Sequence, residues 1–146
     1  MKTLFLAFIL IITLNGCSKD NSSDTFVPVN ITPVLIGKGF TYDTVTPNNL
    51  VINNQSDWAA FLLSMNLVSS TFINTNVDFN IYEVISVVDL PRGSTAYSIN
   101  IDTVIENLDN ITVNYSLLNS GDGFTSMVQP YHIVRIPKID KPFIFQ

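Results

Sequence analysis

The chain has 146 residues, of which 47% are hydrophobic and 13% charged, and its formal net charge is −5. This length and composition indicate one folded domain with a single hydrophobic core, and they are unlike those of disordered chains. The 7 lysine and arginine residues are scattered along the sequence. Because nucleic-acid binding requires clustered positive charge that displaces counterions from phosphates, we predict no nucleic-acid partner.

The N-terminal residues have the features of a secretory signal peptide. Lys2 supplies a positive start, and residues 4–14 form an apolar run of about eleven residues. A helix needs about 20 residues to cross roughly 30 Å of hydrocarbon, so this run is too short to be a transmembrane helix. We therefore predict that residues 1–16 are a signal peptide that is removed on export.

A lipid-attachment motif follows the apolar run. The residues Leu14-Asn15-Gly16-Cys17 resemble the lipobox of bacterial lipoproteins, in which a branched apolar residue and two small ones precede a cysteine. The resemblance implies that diacylglycerol is attached to the Cys17 thiol and that the chain is cut before Cys17. Cys17 is also the only cysteine, so it has no internal disulfide partner. Each buried CH₂ would add about 0.8 kcal/mol, so two or three acyl chains would anchor the protein to a membrane.

Residues 17–33 are predicted to be the lipidated cysteine and a flexible tether, because residues 18–24 are small and polar. The stretch 26–33 contains two prolines and is expected to run extended along a sheet edge. Inner-membrane lipoproteins of Gram-negative bacteria commonly carry Asp after the cysteine, where this chain has Ser18. The lipobox resemblance therefore implies a lipid anchor in the cell envelope. It favours the outer membrane over the inner one and leaves surface exposure open.

Residues 34–146 are predicted to form one globular domain rich in β-strands. Residues 81–90 are rich in β-branched side chains and are expected to form a central strand buried on both faces. Apolar residues alternate with polar ones from Tyr97 and again from Ile111, which predicts half-buried strands. Gly37 and Gly39 mark a bulge or a close backbone approach in the first strand. Further strands are predicted at 34–41, 50–52, 131–136 and 143–145, with turns at 47–49, 91–94, 109–110 and 120–123.

One helix interrupts the strands. Four apolar residues are spaced at i, i+3, i+4 and i+7, which places them on one face of a helix of about ten residues. They are Trp58, Phe61, Leu62 and Met65. Ser56 is a suitable N-cap residue. Successive strands with one helix between them predict an α+β fold that is mostly β, with a largely antiparallel, β-sandwich-like sheet arrangement and one short helix.

Several stretches between residues 55 and 138 share a pattern with a known family. They are Gln55-Ser56-Asp57-Trp58, Asp78-Phe79 with Tyr82–Val87, Gly93–Ile101, Ile111–Tyr115 and Pro130–Lys138. Together they resemble the PrcB-type domain, which is named after a lipoprotein subunit of a bacterial surface protease complex. Ala96 stands where the family usually has a glycine before the tyrosine. The resemblance implies an accessory module that supports another surface protein, including a protease, and it implies no catalytic residues.

The chain offers few groups for catalysis or metal binding. The only cysteine is Cys17, and the only histidine is His132, which lies in an apolar strand. A Ser-His-Asp set assembled in space stays open, although no nucleophile motif supports it. Zinc requires several Cys or His ligands, and Asp102, Asp109 and Asp122 are isolated rather than spaced as a calcium-binding loop. We predict a protein that is not an enzyme and has no catalytic residues, cofactor or metal.

Two loops are the best candidates for a contact surface. Residues 92–97 combine a cation, small residues and an aromatic side chain, a composition suited to recognition. The alternative is a structural turn with Tyr97 buried. Residues 120–127 contain two glycines followed by the apolar residues Phe124 and Met127. The predicted contact residues are Arg92, Gly93, Ser94, Thr95, Tyr97 and Phe124.

These observations lead to one leading hypothesis and two alternatives. The leading hypothesis is a cell-envelope lipoprotein that acts as an accessory or stabilising subunit of another envelope protein, such as a surface protease complex. The first alternative is a protease inhibitor that presents residues 93–97 to a protease cleft. The second is a glycan-binding or small-molecule-binding module, which would need an exposed aromatic platform.

Overall fold

The computed structural model describes residues 25–43, 45–65 and 75–146. The predicted signal peptide, Cys17 and the first part of the predicted tether lie outside the described residues. The described chain forms strands and one helix. Their bounds are β1 Val29–Ile31, β2 Val34–Thr41, β3 Asn48–Ile52, α1 Gln55–Ser64, β4 Tyr82–Val88, β5 Arg92–Ser94, β6 Tyr97–Glu106, β7 Ile111–Asn119, β8 Thr125–Pro137 and β9 Phe143–Phe145.

The strands form two sheets. The outer sheet is four-stranded in the order β1-β6-β7-β9, and the central sheet is five-stranded in the order β2-β8-β4-β3, with β5 also pairing with β8. The pairs are antiparallel apart from β7 and β9, which run parallel. The prediction of a mostly β, α+β fold with sandwich-like, largely antiparallel sheets and one short helix is confirmed.

The central sheet is covered on both faces. Side chains alternate between the faces of a strand, so β4 contributes to two hydrophobic cores at once. Val84 and Val88 join the core on the helix side, whereas Ile85 and Val87 join the core between the two sheets. All four side chains are buried. The prediction that this segment is a central strand buried on both faces is therefore confirmed.

The helix packs against the sheet with its predicted apolar face and so forms the helix-side core. Trp58 and Phe61 are buried, their rings are 5.7 Å apart, and the indole Nε1 of Trp58 donates to the carbonyl oxygen of Thr75 at 2.8 Å. The prediction that Ser56 is the N-cap is wrong. Asn54 is the N-cap because its backbone is extended and its side chain accepts a hydrogen bond from the backbone N–H of Asp57 at 2.9 Å.

Several predicted boundaries need correction. Val29–Ile31 pairs with Val104–Glu106 of β6 at the edge of the outer sheet. The expectation of an extended segment along a sheet edge within 26–33 is therefore confirmed, and the predicted tether is wrong at 29–31. The strand predicted at 131–136 already begins at Thr125. The segment 92–94, predicted as a turn, is β5, because Arg92 and Ser94 pair with Val128 and Thr125 of β8. The predicted turn at 47–49 is also partly wrong, since β3 already begins at Asn48.

Of the two glycines of β2, Gly37 has the predicted role at a bulge. The register of β2 against β8 shifts between Leu35 and Gly37, which is a β-bulge. Gly39 lies opposite Tyr131, and a Cβ on this glycine would lie 3.4 Å from the tyrosine hydroxyl oxygen. This is an ordinary contact distance, so Gly39 lies against the buried ring of Tyr131, but the space there would accept a Cβ.

The sandwich has two opposite ends. Strand β6 runs from Tyr97 to Glu106, a distance of about 30 Å at roughly 3.3 Å per residue, and its neighbours run alongside it. We call one end the loop pole, which consists of residues 40–43, 89–97 and 117–128. We call the other end the N-terminal pole, which consists of residues 25–29, 106–111 and 137–143. Both candidate contact loops lie at the loop pole.

Candidate functional site

Arg92 is held in place by two neighbours at the loop pole. Its Nε and a terminal guanidinium nitrogen donate to the two carboxylate oxygens of Asp89 at 2.8 and 3.0 Å. The guanidinium lies 5.6 Å from the centre of the Tyr97 ring. The hydrogen bond with Asp89 raises the pKa of Arg92 above its ordinary value, so the residue stays charged. Arg92 and Tyr97 therefore help to hold the structure of the loop pole, in addition to lying in a candidate contact loop.

The turn that follows β5 is joined to the loop before β8. The backbone N–H of Thr95 donates to the carbonyl of Phe124 at 3.0 Å, and the backbone N–H of Phe124 donates to the Thr95 hydroxyl at 2.9 Å. The backbone N–H of Ser120 donates to the carbonyl of Ala96 at 3.2 Å. The structure thus brings the two candidate loops, which sequence analysis treated separately, into a single surface.

Gly123 allows the loop before β8 to pack closely against Ala96. A Cβ at Gly123 would lie 2.3 Å from the backbone nitrogen of Ala96 and 2.8 Å from its Cβ, so a side chain does not fit without movement. Gly121 has a φ of 80°, a left-handed conformation that favours glycine. The Gly121 backbone N–H donates to the side chain of Asn119 at 2.9 Å. By contrast, a Cβ at Gly93 would meet nothing within 4 Å.

Large apolar side chains are exposed on this rigid support. Phe124 is 83% exposed and Met127 is 61% exposed, although both lie beside ordered backbone. Sequence analysis identified these two residues but missed others at the same pole. The missed residues are Tyr42, Leu90, Leu117 and Leu118. The adjacent leucines at 117 and 118 break the polar-apolar alternation of β7, which was the available signal for them. We call Leu118, Phe124 and Met127 the apolar tip.

His132 has a structural environment. It is 8% exposed, and its Nδ1 accepts a hydrogen bond from the backbone N–H of Ile101 at 2.7 Å, beside the bulge in β6. Burial, and to a smaller extent the charge of Lys38, lowers the pKa of His132 to about 4, against the opposing charge of Asp102. The imidazole is therefore neutral near pH 7, with its Nδ1 lone pair already engaged by the backbone.

A second polar feature lies near the N-terminal pole. A cleft of about 340 Å³ is lined by Glu83, Lys138, Lys141 and neighbouring residues. One carboxylate oxygen of Glu83 accepts a hydrogen bond from the backbone N–H of Ile139 at 3.0 Å, and burial raises the pKa of this carboxyl. The Lys138 ammonium donates to the carbonyls of Phe79 and Asn53, and that of Lys141 donates to the carbonyl of Asn107. The polar groups that line the cleft are thus engaged with the protein's own backbone, and Glu83 joins β4 to the segment between β8 and β9.

The described residues contain neither a cluster of metal ligands nor a membrane-spanning helix. Among residues 25–43, 45–65 and 75–146, no three His, Cys, Asp or Glu side chains lie close enough to hold a metal ion. Within the same ranges, no helix is both long and apolar enough to span a membrane. The loop pole is thus the surface with the clearest features of a binding site.

Comparison with known proteins adds no relative. No protein-family model, no curated protein and no solved structure matches the chain. The resemblance to the PrcB-type domain and the lipobox at Cys17 therefore stay predictions from the sequence.

Proposed function

We propose that the protein is a lipid-anchored component of the cell envelope that binds another envelope protein as an accessory or stabilising subunit. The loop pole is its contact surface in this proposal. The observation that carries it is Phe124, whose aromatic side chain is 83% exposed. The backbone N–H and carbonyl of Phe124 are both hydrogen-bonded to Thr95, which fixes the loop. Covering such a side chain on binding would contribute about 1.5–3 kcal/mol.

The hydrogen-bonded backbone of the loop pole supports a role in binding a partner. Interfaces depend on a few aromatic or arginine anchors, and affinity is greatest when these anchors are already ordered in the free protein. The backbone of Phe124 is held by Thr95, while the side chain of Arg92 is held by Asp89 and Tyr97. The backbone of this surface therefore loses little conformational entropy when a partner covers it.

The geometry favours a subunit over an inhibitor. An inhibitor would need residues 93–97 as a protruding loop, but Ser94 pairs with Thr125, and Tyr97 pairs with Asn119. The most exposed large apolar side chain among the described residues of this surface is that of Phe124, in the neighbouring loop. A glycan platform built on tryptophan is disfavoured because Trp58 is buried in the helix-side core. A surface protease remains the partner class that the PrcB-type resemblance suggests.

Co-purification of the lipidated protein from membranes tests the proposal. We expect a stoichiometric partner with the wild type and with Leu63→Ala, a control at an 82% exposed residue of α1. With Phe124→Ala, losing about 2 kcal/mol of contact should weaken the affinity for the partner roughly thirtyfold and so lower its recovery. Equal recovery with both variants, or no stoichiometric partner for the wild type, would contradict the proposal. Mass spectrometry of the mature N-terminus should find lipid on Cys17.

A further inference from the structure

The first described residues are fixed at the end of the sandwich opposite the loops. Val29 pairs with Glu106 of β6, and the ring of Phe26 lies 4.7 Å from the ammonium of Lys141. Lys141 in turn forms a 2.6 Å salt bridge with Glu106. A chain that arrives from Cys17 therefore meets the domain at the N-terminal pole.

The length of the preceding chain limits how the domain can face a membrane. Phe26 follows Cys17 by nine positions, and a fully extended chain of that length spans at most about 30 Å. Strand β8 has 13 residues and, at roughly 3.3 Å per residue, places Thr125, next to the tip residue Phe124, about 40 Å from Pro137 in the N-terminal pole. An inverted domain would hold Phe26 farther from the membrane than a lipid on Cys17 could reach.

The charges of the loop pole limit what can cover it. Among its described residues the acids are Asp43, Asp89 and Asp122, and the cation is Arg92, which is paired with Asp89. This negative balance disfavours anionic lipid headgroups, and it disfavours a second copy of the chain docked pole to pole. The side chains of the apolar tip are exposed, and that of Phe124, at 83%, lies in the loop between β7 and β8. A concave apolar surface with positive charge around it would complement these features.

From these observations we infer that the domain stands on the membrane by its N-terminal pole and inserts the apolar tip into a concave apolar pocket with a basic rim on a partner protein. The inference rests on the proposed function, because it needs the lipid on Cys17 and a protein partner. It adds the direction of the contact surface, which is away from the membrane, and the chemistry of the partner's pocket.

The orientation can be measured without the partner. The full lipidated chain is placed in phosphatidylcholine–phosphatidylglycerol vesicles that carry a short-range quencher on the headgroups. A dye is attached either at Asp122→Cys in the loop pole or at Leu108→Cys, a 63% exposed residue of the N-terminal pole. We expect strong quenching at position 108 and little at position 122. Equal quenching, or stronger quenching at 122, would overturn the orientation while leaving the proposed function intact.

The occupant can be identified by photo-crosslinking in living cells. A photoreactive phenylalanine analogue replaces Phe124, Leu63 or Leu108 in the full lipidated chain. We expect one protein adduct at position 124, at about ten times the yield at the two control positions, with an apolar partner segment next to Lys or Arg. Asp122→Lys should lower that yield. An adduct with lipid or with a second copy, or an acidic partner segment, would overturn the inference. A chain without lipid on Cys17 would instead contradict the proposed function.

Discussion

The contact between Gly123 and Ala96 allows a direct test of how the loop pole is built. The substitution Gly123→Ala adds one methyl group at a point where it would lie 2.3 Å from the Ala96 backbone nitrogen. Ordinary contacts begin near 3.4 Å, so the two segments must separate by about 1 Å, because backbone atoms cannot rotate away as a side chain can.

The cost follows from the bonds that this separation breaks. The Thr95–Phe124 hydrogen bonds of 3.0 and 2.9 Å would lengthen beyond hydrogen-bonding distance. Losing both costs about 2 kcal/mol, since each contributes about 1 kcal/mol net. Residual strain adds about 1 kcal/mol. We therefore expect Gly123→Ala to lower the free energy of unfolding by about 3 kcal/mol.

Gly93→Ala is the matched control, since the same methyl group meets nothing within 4 Å there. It should change stability by less than about 1 kcal/mol, and in the stabilising direction, because alanine restricts the unfolded chain. Urea unfolding of the purified protein, followed by the fluorescence of Trp58, measures both variants. If the two variants had the same unfolding midpoint and slope, the close contact at the loop pole would be refuted.

Three further predictions concern single residues. Because burial lowers the pKa of His132 to about 4, the unfolded chain, with an ordinary pKa near 6.5, binds the extra proton between these values. Stability should therefore be complete above about pH 7 and fall by up to about 3 kcal/mol as the pH drops to 4; urea unfolding of His132→Gln should show a flatter profile. Arg92→Lys cannot keep both bonds to Asp89, so calorimetry should show a loss of about 1 kcal/mol. Phe124→Ala should change stability by less than about 0.5 kcal/mol, since its side chain is exposed, so any lost binding reports the contact itself.

The parts of the fold with a strong local pattern were predictable from the sequence. The helical spacing from Trp58 and the β-branched run around Ile85 both indicated the correct element, because one periodicity dominates each segment. Cap residues were less predictable. Asn54 and Ser56 carry the same capping chemistry two positions apart, and only the backbone conformation before the helix distinguishes them.

The candidate site was predictable in its residues but not in its assembly. Sequence analysis named Phe124 and Thr95 without relating them, because a backbone pair across 29 positions leaves no local pattern. The strand β5 was missed for the same reason: Arg92–Ser94 has the composition of a turn, and pairing with β8 overrides that preference. The lipid on Cys17 and the nature of the partner stay predictions.

The burial of β4 on both faces has a consequence for folding. In a strand with one solvent-exposed face, the register is fixed, because a shift of one residue would move its apolar side chains into water. For β4, such a shift would exchange Val84 with Ile85, and both positions would stay apolar. Correct alignment must then be set by the polar end of the strand, where Glu83 accepts from Ile139 and Tyr82 lies under Arg135, 4.7 Å from its guanidinium. Removing the Glu83 carboxylate should therefore allow β4 to pair with its neighbours in a shifted register.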